Sequence, residues 1–122
     1  MQYSATQANA MTSNNAYIST IKTINADIQQ ALEHNFYSCS SRMTGGSAYD
    51  VAHVIDALTQ AGYDVVVSKE NRNEWNLLIK WDKPSSEEGS VVFQDFYANY
   101  RNDISKLEKE LQHFNPKKQV VE

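Results

Sequence analysis

Three histidines, one cysteine and a loop with paired glycines are the residues of this chain best suited to chemistry. His34, His53 and His113 share no i,i+4 spacing that would aim two imidazoles at one metal ion, and none is spaced with Cys39 as a metal ligand. A thiol–imidazole pair of Cys39 with His34 or His53 would make a nucleophile. No nucleophile motif surrounds the cysteine, which reads better as a small buried hydrophobe. The "TGGS" stretch at 44–47 precedes a helical pattern. Amides at a helix start attract anions, but this stretch lacks the lysine and the length of a phosphate-binding loop. It reads as a plain loop feeding a capped helix.

The remaining charged groups fit solvation better than catalysis. Asp82, Glu87 and Glu88 flank a Pro/Ser/Gly-rich linker. Lys69, Asn71 and Arg72 fall at a hairpin tip, where contact sites are common but solubility alone accounts for charge. The expectation is a non-enzymatic protein with no catalytic residue, no cofactor and no metal.

Those residues are carried by 122 positions, enough for one domain with its own core. Hydrophobic residues make up 41%, which excludes a wholly disordered chain. The formal net charge of −4 argues against a nucleic-acid binder, which needs clustered Lys and Arg. No apolar run approaches the ~18 residues of a membrane span. "MQYSATQANAMTSNN" has neither the basic start nor the apolar core of a signal peptide. A lone cysteine forms no internal disulfide, which favours a reducing interior.

The spacing predicts a helix carrying Ile18, Ile21, Ile24, Ile28 and Leu32, capped by Thr12, Ser13 or Asn14 and stopped at Asn35. "FYSCSSRM" reads as a strand. Ser47 and Asp50 form a capping box for a second helix with Val51, Val54, Ile55, Leu58 and Ala61 on its apolar face, ended by Gly62. "YDVVVS", the polar "KENRNE" and "WNLLIKW" read as a hairpin. Its second strand alternates, with Trp75, Leu77, Ile79 and Trp81 toward a thin core that needs large rings. Beyond the linker, Phe93, Tyr97, Tyr100, Ile104, Leu107, Leu111 and Phe114 recur in steps of four and three, a heptad seam. Such a seam folds back on its own sheet or packs against a second copy or another protein. The expectation here is an interface.

The expected organisation is an arm over 1–12, a compact domain over 13–81, a linker over 82–90, a C-terminal helix over 91–115 and a tail over 116–122. The fold class is α+β: helix, strand, helix, strand, strand, long helix, with a small three-stranded sheet packed by helices.

A polar "T-x-x-x-A" at 6–10, "L-x-x-x-GY-x-V" at 58–65 and the "I-x-W" of Ile79 and Trp81 together resemble a widespread family of small tailed-bacteriophage proteins and domains. The likeness covers about two-thirds of the chain and ends before Asp82. It implies phage origin and a compact α+β domain, and it brings no active site. The expected function is a structural or accessory virion protein. Its termini and last helix would contact itself or other virion proteins, with no nucleic acid, membrane or small-molecule ligand. The alternative is an early host-takeover or anti-defence protein that binds a host protein or sequesters a small nucleotide signal. An oligomer would then form a pocket between subunits, with Gly45, Gly46, Lys69 and Arg72 as phosphate contacts. The expected location is the virion, or the host cytoplasm during infection.

Overall fold

The computed structural model describes residues 3–45, 47–83, 88–95 and 98–114. Along the chain run α1 (Ala5–Glu33), β1 (Ser38–Thr44), α2 (Ala48–Gln60), β2 (Asp64–Asn71), β3 (Glu74–Lys80), β4 (Val91–Gln94) and α3 (Arg101–Phe114). The class is α+β, with helices packed on a mixed sheet of order β1-β3-β2-β4.

Local chemistry sets the helix ends. Ser4 accepts from the Gln7 amide while Gln7 Oε1 accepts from the Ser4 amide, so α1 starts in a capping box. The expected arm over 1–12 is therefore mostly helix. Ala5, Ala8 and Ala10 are strong helix formers and extend α1 without any apolar period. At its other end Asn35 adopts φ 61°, and the Asn35 and Phe36 amides close onto Leu32 and Ala31. Ser47 and Asp50 cap α2 as expected. Gly62 at φ 95° closes that helix in the same way, with its own amide on Thr59 and the Tyr63 amide on Leu58.

The β1, β3 and β2 strands pair antiparallel around the short Arg72–Asn73 turn, with a bulge between Lys69 and Asn71. β4 lies parallel to β2. This fourth strand corrects the three-stranded expectation. It also takes Val91 to Gln94 out of the expected 91–115 helix, because β-branched valines and Phe93 suit a pleated surface. The linker over 82–90 is anchored at its far end. The Gly89 amide donates to Thr59 O at 2.8 Å, and the Ser90 amide and hydroxyl both donate to Asp64 Oδ1. A Cβ on Gly89 would sit 1.7 Å from Tyr63 O, so only glycine fits.

The strand register lines up rows of side chains on one face of the sheet. One row is Ser41, Leu77, Val67 and Phe93; the next is Cys39, Ile79, Val65 and Val91. All three helices share one core cluster with this face, including Ile24 and Ile28 of α1, Val51 and Ile55 of α2, and Leu107 and Leu111 of α3. Trp75 is buried at 6% exposure, and Trp81, one residue beyond β3, is half-buried against Tyr63 at 6.0 Å between centroids. The tryptophans are core, as the alternation implies. The opposite face carries a depression of about 460 Å³ lined in part by Arg42, Ser68, Asn76 and Gln94.

Candidate functional site

The expected seam residues divide between two elements, and the structure turns them inward. Phe93 belongs to β4; Ile104, Leu107 and Leu111 belong to α3; all four are buried in the chain's own core. Tyr97 lies outside the described residues. Tyr100 precedes α3 and stands 5.6 Å from the Lys69 ammonium. Phe114 packs on the rim of the core with its ring stacked on His53, centroids 5.2 Å apart and planes within 9°. So the helix folds back onto its own domain, against α2 and the shared core, where the expectation was an interface. The heptad spacing is the apolar stripe of a helix whose partner is its own domain.

Lys69 is the largest departure from the sequence reading. It shares the inward row with Met43 and Trp75. Its side chain is 9% exposed, its ammonium lies 2.9 Å from Asp103 Oδ2, and it sits 4.7 Å from the Trp75 ring centroid. The lysine pins the first turn of α3 to the sheet by charge and by its stem over the ring. It is not a free phosphate contact. The Gly45 amide is also taken, donating to Asn73 O at 3.0 Å. Gly46 lies outside the described residues, and Arg72 stands exposed on the turn. Two of the four phosphate contacts expected under the alternative reading are thus engaged within the chain.

The histidines and the cysteine also have structural surroundings. His53 is stacked between Phe114 and Tyr17, the latter at 3.8 Å. His34 Nδ1 lies 2.8 Å from Gln30 O. Cys39 lines a cleft of about 320 Å³ with Asp27 and His34. Burial, and then the nearby Asp27 carboxylate, push its thiol above the ordinary 9.0, so the thiolate that a nucleophile needs is disfavoured. Asp27 also accepts from the Ser41 hydroxyl, and Asp50, nearly buried, accepts from the Ser13 hydroxyl and the Ser47 amide. A cavity of about 560 Å³ beside α3 is lined by Phe93, Asp95, Arg101, Ile104 and Ser105, with no imidazole or thiol among them. Among the described residues, no three His, Cys, Asp or Glu side chains gather where they could hold a metal. No described helix is long and apolar enough to cross a membrane.

What the described surface does present is apolar. Six of its seven exposed large hydrophobic residues, from Tyr3 to Tyr37, lie on α1 or at its ends; the seventh is Tyr49. α1 has 29 residues and so runs about 43 Å, while seven residues of β1 or β3 span about 24 Å. Its buried residues are Ile24, Ile28 and Ala31. The expected stripe of Ile18, Ile21, Ile24, Ile28 and Leu32 is therefore split, with Ile18 44% and Leu32 50% exposed. Those two lie on the edge of the stripe, beyond the side that the domain covers. The candidate site is this helix face, and sequence reasoning missed it by assigning the whole stripe to the core. Comparison with protein-family models, curated proteins and solved structures returned no match to the chain.

Proposed function

We propose that this protein is a non-enzymatic structural or accessory component of a tailed-phage particle, working through protein contacts made by α1 and the aromatic residues at its ends. The observation that carries the contact role is the exposure of Met11, Ile18 and Leu32 on that helix together with Tyr3, Phe36 and Tyr37 in the segments that flank it. Apolar area that faces water on a rigid element favours a partner. The particle rests on the resemblance of the 6–10, 58–65 and Ile79–Trp81 motifs to small phage proteins. The surroundings of His53, Cys39 and Lys69 are also those of packing groups rather than of reacting ones.

The test is mass spectrometry of purified particles from infected cells. Recovery of the chain at a fixed ratio to the known particle proteins is expected. Its absence from particles would sink the virion reading. Early rather than late synthesis would then favour a host protein as the partner of the same helix face.

A further inference from the structure

Met11, Ile18 and Leu32 are 45%, 44% and 50% exposed although each is a large hydrophobe. They stand seven and fourteen residues apart, so they occupy one heptad position, and Asn25 fills the remaining turn. At 3.6 residues per turn the four share a stripe on α1, rotated by roughly a quarter turn from the side that buries Ile24 and Ile28. The spacing has a symmetry. A two-fold axis between Ile21 and Lys22 sets Met11 of one copy against Leu32 of a second, and Ile18 against Asn25. It also carries Tyr3 of one copy toward the helix end where Phe36 and Tyr37 of the other stand, 60% and 68% exposed.

We propose that α1 pairs antiparallel with α1 of a second copy of this chain along the Met11–Ile18–Asn25–Leu32 stripe, with the two-fold axis between Ile21 and Lys22. The inference deepens the contact role assigned to α1 and rests on it. Three arguments select this occupant. The two-fold axis forms the Met11–Leu32 apolar contact twice, once at each end of the stripe, so one pair of residues serves both ends. Antiparallel helices oppose their macrodipoles, whereas parallel ones align them side by side. The area also suits a copy. With about 200 Å² for each large side chain, the six half-exposed residues offer on the order of 600 Å² per chain. Two copies then remove about 1,200 Å² from water, the low end for a specific interface. The dimer is accordingly weak and comes apart on dilution. Asn25 opposite Ile18 weakens it further, as does Lys22 beside its own copy near the axis.

The experiment is sedimentation of the full chain across a dilution series, with Ile18→Glu, Asn25→Leu and two cross-linking variants. A monomer–dimer equilibrium is expected that tightens about tenfold in Asn25→Leu, tightens with added salt as the Lys22 charges are screened, and vanishes in Ile18→Glu. In a Cys39→Ser background, a short bis-maleimide should link Lys22→Cys to itself. It should leave Met11→Cys unlinked, because that residue lies about 31 Å from its copy in this register. Circular dichroism of each variant confirms that the domain is folded; the cross-linking pair decides the register even where Ile18→Glu unfolds. A monomer at every concentration, or Met11→Cys joined to itself as in a parallel pair, overturns the proposal. A monomeric chain still found in particles would sink self-pairing and leave the virion role standing. A dimer absent from particles would do the reverse.

Discussion

Leu107→Ala separates a helix that packs on its own domain from one that waits for a partner. Leu107 is 0% exposed and shares its cluster with Val51, Ile55 and Trp75. The substitution removes three carbons from a sealed site. At ~0.8 kcal/mol per buried methylene the transfer loss alone is about 2.4 kcal/mol. A cavity that does not collapse raises the cost toward 5 kcal/mol. In a domain of this size, where total stability is about 5–15 kcal/mol, the melting temperature should fall by roughly 10 °C or more. Urea unfolding of the dilute chain, followed by Trp75 and Trp81 fluorescence, reads the change directly. The midpoint should drop while the slope stays that of the wild type, because the unfolded state exposes nearly the same surface. A loss under 0.5 kcal/mol would mean that α3 does not pack into the core beside α2, and the placement of Ile104, Leu107 and Leu111 would be wrong.

Gly89→Ala should destabilise the chain by roughly 2 kcal/mol or more, since its Cβ would collide with Tyr63 O; amide exchange should show β4 protection lost before that of β3. Lys69→Ala should cost about 1–3 kcal/mol through the lost ion pair and stem packing on Trp75. Lys69→Met keeps the stem and should cost less by the same urea titration. For Cys39 the folded thiol is raised above its ordinary 9.0. Its contribution is therefore fully present below the unfolded thiol's value and is lost as pH rises through the higher folded one. Iodoacetamide labelling should be slower than that of an unfolded peptide at pH 8 and should inflect above pH 9.

The parts legible in the sequence were those whose signal is local. Ser47 with Asp50, Asn35 and Gly62 mark helix ends by backbone chemistry, and they do so in the structure. Trp75, Leu77 and Ile79 alternate because a strand with one dry face demands it. The failures come where two patterns coincide or where the cause is distant. Phe93 continues the four-and-three spacing of α3 by accident of numbering, although Val91 and Val92 beside it are strand formers. The Ser4–Gln7 box precedes no apolar run, so nothing in the hydrophobic spacing marks it as a helix start. Lys69 looks solvated in sequence; in the strand it continues the inward side of Val65 and Val67, pairs with Trp75 and so meets Asp103. The outer stripe of α1 was hidden because a helix can carry two apolar bands, and spacing alone does not say which one the domain covers.

The parallel pairing of β4 with β2 has a consequence for the order of folding. β2 is eight residues long, and its outer edge is closed by a strand that begins 20 positions after β2 ends. A nascent chain can pair β1, β3 and β2 as soon as Lys80 has left the ribosome, but β2 then presents an unpaired edge and the core lacks Leu107 and Leu111. Until the last quarter of the chain emerges, that intermediate is a template for any other extended segment nearby. The C-terminal segment thus acts late, as the step that replaces an eight-residue open edge with a four-residue one and completes the core. Slow translation before residue 91 would prolong the interval in which this protein is most prone to aggregate.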